Sequence, residues 1–238
     1  MTYEKQIETF VKEVSKKIIG STIKIYCRTA NKIVPYCTGV TARLSNKLFI
    51  LTSEHAFQNT DYGDLIVIHK GFPLNLEGNI HGHKANDIAL FELDPTLAGH
   101  LSNEYTFIET DRIEFNHSIK NIQNYLLIGF PNSKTTIKGT LVKETPLAYL
   151  TEPVNFKSNM EEIAISYKKR KSLKYNQKSY FFVPDPVGLS GSGLWYISKF
   201  DINPESLNNF KLIGIFKEYN PKNNIGLVTR IETILTFY

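Results

Sequence analysis

The sequence Gly188-Leu189-Ser190-Gly191-Ser192-Gly193 places a serine inside a glycine-rich bend. Glycine adopts backbone angles that are closed to other residues, and it lets another backbone come close to the chain. The segment before the bend contains two prolines, and Leu194-Trp195-Tyr196-Ile197 after it is typical of an apolar strand. The sequence therefore predicts that the hydroxyl of Ser190 lies at a junction between a loop and a strand.

Two upstream segments supply the residue types that a nucleophilic serine needs, which are a base to accept its proton and an acid to orient that base. His55 follows a hydrophobic strand predicted at residues 48–52, through the step Thr52-Ser53-Glu54. Asp87 stands at the start of another apolar strand, predicted at residues 87–93. The order is His55, Asp87, Ser190, at separations of 32 and 103 residues.

In these three segments the chain resembles the trypsin-like serine proteases of the chymotrypsin fold. In that family the histidine follows a Thr-Ala-Ala step, the aspartate opens an Asp-Ile-Ala-Leu strand and the serine lies in Gly-Asp-Ser-Gly-Gly. The segment 125–131, which ends in Gly-Phe-Pro, is similar to a further strand of the family. The resemblance covers about residues 21–238. It implies an all-β fold of two antiparallel β-barrels with a site in the cleft between them.

The pattern of elements also favours antiparallel barrels, because many short strands follow one another with almost no helix between them. Residues 3–19 predict an amphipathic helix, since apolar residues recur at helical spacing before Gly20. We expect an N-terminal helix in residues 1–20, a first barrel with His55 and Asp87 in 21–115, and a second barrel with Ser190 in 116–238, closed by a short C-terminal helix. Strands are expected at 22–28, 32–44, 48–52, 65–69, 87–93, 125–131, 137–143, 162–167, 180–183, 194–197, 212–216 and 226–229.

The resemblance implies a role for each site residue. Ser190 would attack a peptide or ester carbonyl, His55 would accept the serine proton, and Asp87 would orient the imidazole and stabilise its protonated form. The backbone N–H groups of Gly188 and Ser190 would bind the developing oxyanion. This chemistry needs no metal or organic cofactor, so we expect none.

The resemblance also implies where specificity is set. The base of the family's pocket lies six residues before the nucleophile, which is Pro184 here, and Asp185 is next to it. The wall is expected from the strand at residues 213–216 and from the residues after it, Lys217, Glu218 and Tyr219. A carboxylate at Asp185 would select Lys or Arg in the substrate, and the alternative is that Asp185 is only a turn residue between two prolines.

Two positions depart from the family pattern. Leu189 replaces an aspartate that receives a newly cut N-terminal amine in secreted members, so activation by that step is not expected. Lys217 stands where the family has a serine that supports the catalytic aspartate. The primary interpretation is a serine endopeptidase acting on a protein or peptide. A protease-fold binding or regulatory module, inactive or activated by a protein partner, is the second interpretation, and an esterase is the third.

Composition limits the other classes of function. Lys and Arg number 28 against 23 Asp and Glu, and a net charge of +5 is too mild to indicate nucleic-acid binding. The basic segment 168–178 could meet nucleic acid or an acidic protein, but a solvated loop is the favoured interpretation. No apolar run is typical of a secretory signal or a membrane span. With only Cys27 and Cys37, we expect unpaired thiols and a cytoplasmic protein. The abundance of Lys, Ile and Asn favours a bacterial source.

The sequence His81-Gly82-His83 has a spacing that places both rings on one face of a strand, where they could bind zinc. No third ligand is evident nearby, and the glycine between the histidines is typical of a hairpin tip. We therefore predict no metal site.

Overall fold

The structure is a computed structural model that describes residues 3–30, 32–58, 63–119, 124–138, 141–156, 160–168, 170–172, 180–198 and 206–238. The chain begins with helix α1 (Tyr3–Ile19), as predicted. Its buried side chains Phe10, Val14 and Ile18 belong to a hydrophobic cluster that contains residues of both halves of the chain. The helix therefore packs across the two halves.

The first half forms a seven-stranded antiparallel sheet. Its strands are β1 (Thr22–Arg28), β2 (Ile33–Leu44), β3 (Lys47–Thr52), β4 (Asp64–His69), β5 (Phe72–Asn75), β6 (Gly78–His83) and β7 (Ile88–Leu93). They pair in the order β5-β4-β1-β2-β3-β7-β6. Helix α2 (His55–Gln58) follows β3, and α3 (Pro95–Leu101) follows β7.

The second half forms a six-stranded antiparallel sheet and two small hairpins. The sheet strands are β8 (Asn124–Gly129), β11 (Leu147–Thr151), β12 (Glu162–Ser166), β15 (Gly193–Ile197), β16 (Phe210–Asn220) and β17 (Ile225–Arg230), and the hairpin strands are β9 (Thr135–Lys138), β10 (Leu141–Glu144), β13 (Arg170–Ser172) and β14 (Tyr180–Phe182). The sheet order is β11-β8-β15-β16-β17-β12. Both sheets curl into the predicted two-barrel arrangement.

Several elements differ from the sequence predictions. The single strand expected at 137–143 is wrong, since β9 and β10 form a hairpin there. The hairpin tip expected at His81-Gly82-His83 is also wrong, because these residues lie in β6 and pair with β7. The sequence of β6 has little alternation of apolar and polar residues, so its pattern did not predict a strand. The closing helix is a 3-10 helix at Ile231–Thr236. The division of the chain at residues 115 and 116 stays a prediction.

The two sheets share one apolar core. Val40 and Leu51 of the first sheet, and Leu126 and Trp195 of the second, are fully buried in the same cluster as α1. Burial of this kind is the main stabilising contribution to a fold, and it fixes the sheets against each other. Side chains that reach the interface from either half are therefore held in a defined mutual position.

Two further observations bear on the sequence predictions. No helix in the described part of the chain is long and apolar enough to cross a membrane. The two cysteines both lie in described residues, where they are buried and form no disulfide. Most of the basic segment 168–178 lies outside the described residues.

Candidate active site

The bend around Ser190 requires glycine at two positions. Gly188 and Gly191 have φ angles of 90° and 85°, in a region that residues with a side chain rarely adopt. A Cβ atom at Gly191 would also lie 1.9 Å from the carbonyl oxygen of Thr38 and 2.2 Å from Oγ1 of Thr52. The glycines therefore let the serine loop of the second half press directly against strands of the first half.

Thr38 of β2 holds this loop through two hydrogen bonds. Its backbone N–H donates to the carbonyl of Ser190 at 2.9 Å, and its hydroxyl donates to the carbonyl of Gly188 at 2.9 Å. The same hydroxyl accepts a hydrogen bond from the N–H of Phe130 at 3.0 Å. One buried threonine thus links the serine loop to both sheets.

His55 and Asp87 meet because their strands are neighbours. His55 is the first residue of α2, just after β3, and Asp87 immediately precedes β7, which pairs with β3. Asp87 has a left-handed backbone (φ 52°, ψ 52°) that ends a 3-10 turn and turns its carboxylate toward the histidine. One carboxylate oxygen accepts the backbone N–H of His55 at 2.8 Å, and the other lies 2.7 Å from Nδ1 of the ring.

The environment of His55 favours its protonated form. The hydrogen bond to Asp87 is the largest cause that raises the pKa of His55. Partial burial opposes this effect, whereas the negative charges of Asp87, Glu54 and Glu218 add to it. With Nδ1 facing the carboxylate, Nε2 is the nitrogen that remains for another partner.

Ser190 and His55 line one cavity of about 500 Å³. In the structure Oγ of Ser190 donates to the carbonyl of Lys217 at 3.3 Å. Lys217 forms a β-bulge between β16 and β17, which turns this carbonyl out of the regular ladder. Among the described residues no hydrogen bond joins Ser190 to His55, so the serine hydroxyl has to rotate before the two can exchange a proton.

The turn before Ser190 orients two backbone donors. The N–H of Leu189 donates to the carbonyl of Pro186 at 2.9 Å, and the carbonyl of Val187 accepts the N–H of Asn132 at 2.8 Å. The Val187–Gly188 peptide is trans, so the N–H of Gly188 points away from Asn132. Within the described residues neither this N–H nor that of Ser190 has a hydrogen-bond acceptor. Both donors are therefore left without a partner among the described residues, as the donors of an anion-binding turn would be.

Four of the five predicted substrate-binding residues line the cavity, namely Asp185, Lys217, Glu218 and Tyr219. Pro184 does not, and its carbonyl instead accepts the hydroxyl of Tyr167 at 2.9 Å. Phe216 also lines the cavity, as expected from the strand at residues 213–216, whereas the sequence did not indicate Pro186, Val187 and Pro221. They adjoin the predicted residues in the same two segments, and this proximity in the chain is the signal that could have indicated them.

The Lys217 side chain points to a carboxylate rather than to Asp87. Its Nζ lies 2.8 Å from Oε1 of Glu162, and both side chains are largely buried. Burial disfavours the charged amine, but the contact with Glu162 and the negative charges of Glu218 and Asp87 together outweigh burial and raise the pKa of Lys217. Asp87 is oriented instead by the backbone of His55 and by its own place in the turn.

Leu189 is completely buried in an apolar cluster of the second half, with Tyr125, Leu127, Ile213 and Val228 among its members. We expect Leu189→Asp to lower the free energy of unfolding by about 3 kcal/mol or more, because the carboxylate would be buried among apolar groups. Leu189→Met is the matched control and should cost less than about 1.5 kcal/mol. Urea unfolding measures both; an Asp variant as stable as the Met variant would contradict this account of the position.

The predicted absence of a metal concerns His81 and His83. Nε2 of His81 lies 3.4 Å from a carboxylate oxygen of Glu92. The part of the chain that the structure describes contains no group of three or more His, Cys, Asp or Glu side chains arranged to hold a metal ion.

Comparison with known proteins gives the fold. No family model and no curated protein matches the chain. The serine endoprotease from Yersinia pestis matches with a TM-score of 0.56 and 15% identity, over 95% of this chain and 64% of that one. The MamO protease domain from Magnetospirillum magneticum matches at 0.53 and 12%, over 92% and 96%. The tobacco vein mottling virus protease matches at 0.53 and 10%, over 94% and 83%.

These neighbours are proteases, and the chain has their chymotrypsin-like two-barrel fold. At 10 to 15% identity the likeness concerns the fold alone. Any activity therefore has to be argued from the side chains of the site.

Proposed function

We propose that the protein is a serine endopeptidase with Ser190 as nucleophile, His55 as general base and Asp87 as the residue that orients the base. The observation that carries the proposal is the double contact of Asp87 with the backbone and ring of His55, on the cavity that Ser190 also lines. In a protease fold, this constellation is suited to acyl transfer.

The proposed mechanism uses these three side chains in turn. Oγ of Ser190 leaves the carbonyl of Lys217, transfers its proton to Nε2 of His55 and attacks the substrate carbonyl carbon. The negative charge on the carbonyl oxygen is stabilised by the N–H groups of Gly188 and Ser190. Protonated His55 then donates to the departing amine as the C–N bond breaks, and the acyl group stays on the serine. Water attacks this ester with His55 again as base, and the acid product leaves.

The charge of the cavity bears on the substrate class. Carboxylates of Asp185 and Glu218 line it, while the amine of Lys217 is engaged by Glu162. Because opposite charges attract most strongly where water is partly excluded, a basic substrate residue is the best match. The proposed substrate is thus a protein or peptide that is cleaved next to Lys or Arg.

A proteome-derived peptide library, digested and sequenced by mass spectrometry, tests this function. We expect the wild type to produce new termini enriched in Lys or Arg, and Ser190→Ala to produce none. Asp185→Asn should retain cleavage but lose part of the basic preference. Hydrolysis of p-nitrophenyl acetate without any peptide cleavage would replace the proposal by an esterase, and cleavage without basic preference would remove the specificity assignment alone.

One observation favours the second interpretation, a binding or regulatory module. The hydroxyl of Ser190 contacts Lys217 rather than His55. If this arrangement persists in solution, the wild type should bind library peptides as well as Ser190→Ala does and cleave none of them until a protein partner is added. The cytoplasmic location stays a prediction from the sequence.

The raised pKa of His55 predicts a pH profile. Only neutral His55 can accept the serine proton, so the rate falls as pH drops through the pKa of the histidine. Because that pKa lies above its usual value of 6.5, the midpoint of the acid limb should lie above pH 6.5. Glu218→Gln removes a charge that raises this pKa and should move the midpoint down.

The control for the pH experiment is Glu109→Gln, an exposed carboxylate that pairs with Arg43 away from the cavity. Its profile should match that of the wild type. Equal midpoints for Glu218→Gln and the wild type would show that Glu218 does not act on the catalytic base.

A further inference from the structure

A buried lysine connects the first half of the chain to the serine loop. Lys24 of β1 is only 1% exposed. Its Nζ donates to the carbonyl of Phe130 at 2.7 Å and to Oδ1 of Asn132 at 2.6 Å. Burial of an amine is costly unless hydrogen bonds compensate it, and both acceptors here belong to the segment that follows β8.

Asn132 carries this contact to the oxyanion-binding turn, which we define as residues 186–189. Its side chain is held at both ends, since Nδ2 donates to the carbonyl of Pro35 at 3.0 Å while Oδ1 accepts from Lys24. Its backbone N–H donates to the carbonyl of Val187. A Cβ atom on Gly188 would lie 2.0 Å from Oδ1 of Asn132, so the amide packs directly against the glycine.

We propose that Lys24 is a positioning residue for the oxyanion-binding turn: through Asn132 it holds the Val187–Gly188 peptide with the N–H of Gly188 directed away from Asn132, so that this N–H can donate to an oxyanion. The inference rests on the proposed function, because this donor matters only if a negative charge develops in the cavity. Leu189 provides no carboxylate that could bind a newly cut N-terminal amine. The internal amine of Lys24 would hold the turn instead.

The hydrogen bonds, rather than the charge, carry this role. Burial lowers the pKa of Lys24 to about 8, and Cys37 and Glu144 oppose that effect. A neutral amine still has two N–H groups, and Lys24 has two acceptors to satisfy. Loss of Lys24 should therefore slow the reaction by the same factor across the pH range.

The experiment measures the second-order rate of labelling by an alkyl fluorophosphonate, followed by intact mass over a range of pH. The phosphoryl oxygen of this probe occupies the oxyanion position. Loss of one oxyanion donor costs on the order of a hundredfold or more, so Lys24→Met should react at least about tenfold more slowly than the wild type. The midpoint of its acid limb should be unchanged, because His55 and Asp87 are untouched.

Two further variants separate positioning from general destabilisation. Asn132→Ala should lose a similar factor, and the double variant should be little slower than either single one, because both act through one peptide. Lys47→Met is the control, since this lysine is 56% exposed and contacts Glu92; it should react at the wild-type rate. All thermal unfolding midpoints should lie well above the assay temperature.

A wild-type rate in Lys24→Met or Asn132→Ala, or fully multiplicative losses in the double variant, would overturn the inference. If the wild type itself is not labelled, the proposed function fails instead. A crystal structure of Lys24→Met, or of Asn132→Ala where the first does not fold, then decides the positioning. We expect that the carbonyl of Val187 no longer accepts a hydrogen bond from the backbone N–H of residue 132. An unchanged Val187–Gly188 peptide would contradict the proposal.

Discussion

His55→Ala is expected to lower the labelling rate of Ser190 by a fluorophosphonate on the order of 10⁶-fold. Without the imidazole Ser190 loses the base assigned to accept its proton, and residues of a triad act as one unit. The fold should survive, because the side chain of His55 is 42% exposed and packs little apolar surface. Labelling kinetics by intact mass measure the loss.

His100→Ala is the control for this prediction, since His100 is an exposed histidine at the end of α3. It should react like the wild type. If His55→Ala is labelled within about tenfold of the wild type, Ser190 is not activated by His55, and the assigned base is wrong.

Asp87→Asn is expected to cost about 10⁴-fold, which is the loss typical of a triad whose aspartate becomes an amide. The amide can still accept the backbone N–H of His55, so the loop should keep its place. Its NH₂ group would, however, face Nδ1 and favour the tautomer in which Nε2 carries the proton. The base would then be occupied before the reaction begins.

The measurement is again the labelling rate, taken with the thermal unfolding midpoint. Asp94→Asn is a suitable comparison, because Asp94 caps the N-terminus of α3 and its carboxylate does not reach the site. It should change the rate by less than about twofold. A loss below about tenfold in Asp87→Asn would mean that the carboxylate does not set the tautomer of His55.

Most of the fold could be predicted because the central strands carry a clear apolar signal. Strands such as β1, β3 and β7 were found within one residue of their bounds. Strand β6 was not, since its sequence Gly-Asn-Ile-His-Gly-His is largely exposed and its pairing depends on β7. Edge strands of this kind are fixed by their neighbours more than by their own residues.

The three proposed site residues were chosen from the order of their motifs; the structure brings His55 and Asp87 into contact and places Ser190 on the same cavity as His55. The residues that hold the serine loop could not. In β1 the alternation Ile23-Lys24-Ile25 is typical of a strand with one face in solvent, yet the second half covers that face and Lys24 is buried. A strand's own sequence does not show what will pack on its polar face.

The most direct test of the central claim is intact-mass analysis of the wild type and Ser190→Ala after reaction with a fluorophosphonate. The account predicts one phosphonyl group per wild-type chain, attached to Ser190, and none on Ser190→Ala. An unlabelled wild type, or equal labelling of both proteins, would contradict the assignment of Ser190 as an activated nucleophile.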